Sequence, residues 1–430
     1  MKKSLLMTTT LVAAFSATNV CAEDWAISSK ETITDELISR DNVTVATDGN
    51  ITVSGNNSGI ISNGNFTMED GSLTASSNGG SADTGVFVRG ENSSVTIKNG
   101  TINLTEARIA KGEEDTDTTG DVNISGGKIT LNNQAYIEMY DTNTGSVNLS
   151  GGELNINDNS GILLDGANNF TMTGGTLTAT SNGNSADTGV FVKGDGADVN
   201  IQGGDINLTD SRIYKGNDTA TSGDINISGG NITLNKNAYI EMRKENTGNV
   251  NMTGGKLVMN ENSGLLLNTN DNQEIDGNAI KFIVNGDDAT IIANGNNQIS
   301  GDIDFTKGTI TVANGASLTS GDIAMNSENT KIDLSGKLDT NVSGSGNLCF
   351  KNSAANISGN VTGSNLTFEA DHSLSKAIGG TISNITALNV RKGTLTYDKD
   401  TGSIGNVLHT PKTEFQPSSL HLKQYALFHQ

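Results

Sequence analysis

Short alternation, broken by a pair of turn residues, recurs along this chain. Between Asp121 and Gly145, Val122, Ile124, Ile129 and Leu131 are apolar, while Asn123, Ser125, Lys128, Thr130 and Asn132 are polar. Period two on both sides of Gly126-Gly127 predicts two short strands meeting at a glycine corner. A third run, Ala135 to Met139, follows, and a polar stretch then leads into the next unit. The unit returns as SVTIKNGTINLT, DVNISGGKITLN, SVNLSGGELNIN, DVNIQGGDINLT, DINISGGNITLN and NVNMTGGKLVMN. Its second turn glycine falls at Gly71, Gly100, Gly127, Gly152, Gly175, Gly204, Gly230 and Gly255. One unit cannot bury its apolar side chains alone, whereas stacked units share a continuous narrow core. The expectation is an all-β fold: a right-handed parallel β-helix, or solenoid, of about 25-residue, three-strand coils.

Four such units form a larger block that occurs twice, at residues 67–165 and 171–268. The copies are offset by 104 residues at Gly71/Gly175 and Gly100/Gly204, and by 103 at Gly127/Gly230 and Gly152/Gly255. One residue has been gained or lost between Lys215-Gly216 and Gly223, opposite Glu113 to Thr119 of the first copy. Within a strand such a change would turn side chains to the wrong face, so this segment is expected to be a solvated loop. Residues 271–408 keep the style with shorter runs, and are expected to continue the helix with coils nearer 20 residues. Residues 23–66 hold Trp25 and the first strands, with Glu31 to Ile38 read as a short capping turn. Residues 409–430 carry both prolines and three of the four histidines but no glycine, and read as an atypical tail: a disordered segment, a short cap or unrelated sequence added by a frame change.

Composition changes this picture in three ways. The formal charge of -21 argues against nucleic acid as a partner. Residues 1–22, with Lys2-Lys3, the apolar run Leu5 to Phe15 and Val20-Cys21-Ala22, read as a signal peptide cleaved before Glu23. That implies Sec-type export machinery as a partner and no stable membrane span in the chain. Acylation at Cys21 is disfavoured by the lead-in Thr18-Asn19-Val20. Cleavage leaves Cys349 as the single cysteine, read as a small buried hydrophobe, so stability must come from stacking rather than a disulfide.

Candidate chemistry is sparse. No HExxH, GxSxG, CxxC or phosphate loop occurs, and all four histidines lie at or beyond residue 372. No cofactor and no metal are expected. Asp83 and Asp187, in the repeated phrase SADTGVFV, are read first as turn residues and second as half of a sugar or calcium site. Tyr136 with Glu138, and Tyr239 with Glu241, alternate with Ile137 and Ile240 and are read first as an ordinary half-solvated ladder and second as an exposed surface for sugar or protein. Asn132, Asn155, Asn157, Asn159, Asn235 and Asn237 recur at turns, where stacked amides form ladders.

The signal peptide, coils such as NISGGKITL and the distal run Ile382 to Thr396 resemble the passenger region of Gram-negative autotransporters. The resemblance covers most of residues 23–408. It implies export to the periplasm, passage through the outer membrane and display at the surface for adhesion. Surface glycans or proteins are the partners it implies, with the product at the cell surface or released. The family's C-terminal translocator barrel is not recognisable up to Gln430, where the sequence given departs from the pattern. The alternative is a secreted carbohydrate-binding or polysaccharide-lyase-like β-helix. Converging acidic or basic side chains on one outer face would favour the enzyme, and a smooth Thr, Asn and Ser face the adhesin.

Overall fold

The computed structural model describes residues 23–77, 83–113, 116–182, 187–217, 219–270, 274–277 and 279–409. The expected signal peptide, and the tail beyond His409, lie outside these residues. The described chain winds as a right-handed parallel β-solenoid with three sheet faces. One coil shows how. Val122–Ile124 lies on the first face, Lys128–Asn132 on the second and Tyr136–Met139 on the third. Each pairs in parallel with its counterpart one rung away. Val122 sits between Val95 and Val147, Ile129 between Ile102 and Leu154, and Ile137 between Ile109 and Ile162.

Inward positions form ladders. Val43, Phe66, Val95, Val122, Val147, Phe170, Val199, Ile225 and Val250 make one column, and all are fully buried. Outward positions on the first face carry Thr and Asn, with one Ser at Ser146, from Thr44 to Asn251. Several of these amides bond rung to rung. Asn226 Nδ2 donates to Asn200 Oδ1 at 3.1 Å, and Asn251 Nδ2 donates to Asn226 Oδ1 at 3.0 Å. The expected turn ladders form as well, with Asn157 donating to Asn132 at 3.0 Å and Asn260 to Asn235 at 2.7 Å. Asn133, Asn159 and Asn237 take positive φ at these turns, a conformation asparagine tolerates better than most residues.

The glycine corner has a steric cause. Gly127 has φ +78°, and a β-carbon there would lie 2.7 Å from the Gly100 carbonyl oxygen of the preceding rung. Both the backbone conformation and the close approach of successive rungs require the missing side chain.

The one-residue difference between the blocks falls where the pattern placed it. Lys111 and Lys215 end equivalent third-face strands 104 residues apart, and Val122 and Ile225 open equivalent first-face strands 103 apart. The change lies in the segment between them, outside the three faces. The later rungs do tighten: Ile303, Ile323, Val342 and Val361 follow one another at 20, 19 and 19 residues. The transition is marked by Asn268, an extra residue with φ +61° in the third-face ladder. Its buried side chain holds both polar groups of Ile280: Oδ1 accepts from the amide at 2.8 Å, and Nδ2 donates to the carbonyl at 3.2 Å.

Two expectations need correction at the N-terminal end. Glu31 to Ile38 is not a capping turn, because Lys30–Thr34 and Leu37–Arg40 are strands paired with Asn50–Ser54 and Gly59–Ser62. Trp25 is not a cap apart from the coils. It opens a first-face strand in register with Val43, packs on the core, and has the Arg40 guanidinium 5.1 Å from its ring centre.

The structure adds two buried cations. Lys111 and Lys215 occupy inward positions and are fully enclosed. Their ammonium groups donate to the Gly90 carbonyl at 3.3 Å and the Gly194 carbonyl at 2.9 Å. Burial pulls both pKa values down to about 8.

Candidate functional site

The third sheet differs from the other two on its outer side. Each of its regular strands presents a first and a third residue outward. From Gly85 to Leu266 the outward first positions read Gly85, Arg108, Tyr136, Gly161, Gly189, Arg212, Tyr239 and Gly264. The third positions read Phe87, Ala110, Glu138, Leu163, Phe191, Tyr214, Glu241 and Leu266. The pattern has a period of four rungs, so each large block contributes one set. Among the described strands of the first and second sheets, no outward position between residues 43 and 260 carries an aromatic ring. Five of the six arginines, Arg40, Arg89, Arg108, Arg212 and Arg243, also lie on or beside the third sheet.

Arginine and glutamate meet on neighbouring rungs in both blocks. Arg108 Nη1 donates to Glu138 Oε2, and Arg212 Nη1 to Glu241 Oε2. The first pair keeps 13% and 10% of its side-chain surface exposed, and the second 5% and 1%. Thr269 completes the second by donating to Glu241 Oε1 at 2.9 Å. The expected exposure of Glu138 and Glu241 is therefore corrected. Alternation does send both outward, but an arginine one rung back folds over each carboxylate and shuts it from solvent. Burial raises the Glu138 pKa against the pull of Arg108, and the neighbouring Asp165 adds to the rise. Asp165 is itself raised by burial, with Lys193 opposing.

Tyr136 and Tyr239 remain partly exposed, and their hydroxyls donate to the carbonyls of Asn159 and Asn262 at 2.8 and 2.9 Å. Each ring is thereby tied to the following rung. Phe191 leans back over Gly161, its ring 3.1 Å from where a β-carbon would lie. Phe191 and Tyr214 have ring centres 6.1 Å apart, tilted by 47°. The Arg243 guanidinium lies 6.0 Å from the Tyr214 ring centre, and Arg89 lies 5.9 Å from that of Phe87. The result is a strip of fixed rings running along the solenoid axis beside the two ion pairs.

Asp83 and Asp187 are exposed two residues before the strands Gly85–Val88 and Gly189–Val192. The threonines that follow them tie the neighbouring rungs together. Buried Thr84 donates to the Gly55 carbonyl at 2.9 Å, and Thr188 Oγ1 accepts from the Asn159 amide at 2.9 Å. Asp187 lies close enough to Tyr136 to add to the burial that raises its phenol pKa. Among the described residues, no group of three or more His, Cys, Asp or Glu side chains is placed to hold a metal ion. A separate polar trough of about 620 Å³ ends the row of glycine corners, lined by Ser228, Thr253, Asp287, Asp288 and Lys307 among others.

Sequence reasoning named the tyrosines and glutamates of this sheet and missed Arg108, Arg212, Phe191 and Tyr214. A signal for them existed: RIAK precedes YIEM by one rung in the first block, and RIYK precedes YIEM in the second.

Comparison with known proteins gives no match to a family model, to a curated protein or to a solved structure. The fold and its outer face therefore define the class: a right-handed parallel β-solenoid, consistent with extracellular β-helix proteins in general. Among the described residues, no helix is long and apolar enough to cross a membrane.

Proposed function

We propose that the protein is a non-enzymatic, exported β-helix of the autotransporter-passenger kind, acting in adhesion or surface contact through its third sheet. One observation carries this reading. Outward rings and arginines gather on one face, while the first face is a smooth ladder of Thr and Asn and the second is largely Thr, Asn and Ser. Aromatic side chains and arginine supply most of the binding energy at protein surfaces, whereas solvated Thr and Asn ladders supply little. Among the described residues the face forms a strip rather than a deep cleft, which suits contact with an extended partner. The place of action in this reading is the cell surface or the medium.

The test is binding of the chain from Glu23 onward to cell surfaces and to immobilised glycans and proteins. Phe191→Ser with Tyr214→Ser is expected to lose binding, and Thr178→Ala on the second sheet to keep it. Equal binding by all three would overturn the assignment of the face.

A second reading, polysaccharide cleavage, is favoured by Glu138 and Asp165, two carboxyl groups of raised pKa on successive rungs. Release of reducing ends by the wild type, and its loss in Glu138→Gln, would establish that reading instead.

A further inference from the structure

We infer that the ligand of the third sheet is a linear, extended glycan lying along the solenoid axis over the strip from Tyr136 to Tyr239. This inference rests on the contact-surface reading above and names the chemistry that the strip recognises.

The argument starts from spacing. Tyr136 and Tyr239 are separated by four rung steps, through Gly161, Gly189 and Arg212. At about 4.8 Å per step the strip is about 19 Å long. The rung spacing is close to the advance per sugar along an extended β-linked glycan. A ligand that repeats at the same interval as its receptor presents equivalent groups to successive rungs.

Chemistry adds a second argument. A sugar ring offers an apolar C–H face and a rim of hydroxyls. Phe191 and Tyr214 offer partly exposed ring surface, and Tyr136 and Tyr239 are held by their hydroxyl bonds before any ligand arrives. Fixed rings lose little entropy on binding. Polar residues adjoin the strands that carry the rings. Asp187 and Lys193 bracket the Gly189 strand, and Asp165 follows the Gly161 strand. A protein partner would be better served by a wide apolar centre with a polar rim. Here the rings lie on two neighbouring outward columns only, Tyr136 and Tyr239 on one and Phe191 and Tyr214 on the other, with Arg212 and the two glutamates in the same columns.

The experiment is calorimetric titration of the chain from Glu23 onward with β-1,4-linked gluco- and N-acetylglucosamine oligomers, from dimer to hexamer. Coiled α-1,4-linked oligomers serve as the comparison. Affinity is expected to climb with length until the oligomer fills the strip, and to be weaker for the coiled series. Phe191→Ser and Tyr214→Ser are each expected to lower affinity about tenfold, within the range of a lost ring contact. Phe191→Tyr keeps a ring in place and is expected to retain binding, which separates ring loss from misfolding. Binding without length dependence, or unchanged in both serine variants, would overturn the inference. No binding to any extended oligomer, alongside cell binding lost in the same variants, would overturn the glycan assignment and leave the contact face standing. Absence of both would remove the contact-surface reading itself.

Discussion

Arg212 and Glu241 face each other across adjacent rungs of the third sheet, 29 residues apart in sequence and almost wholly shut from solvent. Removing one partner strands a buried charge. Arg212→Met is therefore expected to destabilise the solenoid by about 3–5 kcal/mol, while Arg212→Met with Glu241→Leu recovers most of the loss. Chemical denaturation of the two single variants and the double variant measures the coupling. Arg108→Met is expected to do less harm, since Glu138 retains more contact with water.

Glycine at the corner is required for two separable reasons, and a pair of substitutions tells them apart. Gly315 has φ +78° with nothing within 4 Å of where a β-carbon would lie, whereas Gly127 has the same φ and a carbonyl oxygen at 2.7 Å. Gly315→Ala is expected to lose about 1 kcal/mol from backbone strain alone. Gly127→Ala is expected to lose on the order of 2 kcal/mol more, because two rungs must move apart. Comparable melting temperatures for the two variants would refute the close-approach argument.

The enclosed lysines give the protein a pH dependence of predictable sign. Their folded-state pKa of about 8 lies below the unfolded value of about 10.4. The unfolded chain binds more protons between these values, so this contribution makes stability rise with pH across that window. Below about pH 8 the burial penalty is present in full. Lys111→Met with Lys215→Met is expected to raise stability at neutral pH, by on the order of 1–3 kcal/mol per site. The difference between variant and wild type, read by chemical denaturation, should shrink toward about pH 10.5. A constant difference across that range would show that the lysines are not the cause.

Asn226 stands in the middle of an amide ladder, accepting from Asn251 and donating to Asn200. Asn226→Ala is expected to reduce stability by about 1 kcal/mol. In a solenoid each rung touches only its neighbours, so the loss should be local. Hydrogen exchange should quicken in the strands Val199–Ile201 and Val250–Met252 and stay unchanged near Ile323–Met325.

The architecture is legible in the sequence because alternation and glycine corners are local signals. Val122, Ile124, Ile129 and Leu131 announce two strands and their inner side without reference to any other rung. The loop between Lys215 and Ile225 is legible from the change in block offset. Contacts between rungs are not. Nothing in the segment YIEM says that an arginine 30 residues earlier covers Glu138. The first coils escape the pattern because Glu31 to Ile38 has few apolar residues, and only Ile33 of that stretch is fully buried. Lys111 and Lys215 were overlooked although the phase was available. Each stands two residues after a buried isoleucine, Ile109 or Ile213, so alternation already pointed it inward.

The excursion after each third-face strand has a consequence for how such a molecule changes over generations. It absorbs a residue gained or lost without disturbing the phase of any face, as the 104- and 103-residue offsets record. A block of four rungs is thus a unit that recombination can add or delete while the neighbouring rungs still meet in register. Selection on this lineage can set reach and the number of presented patches by copy number, without remaking the core.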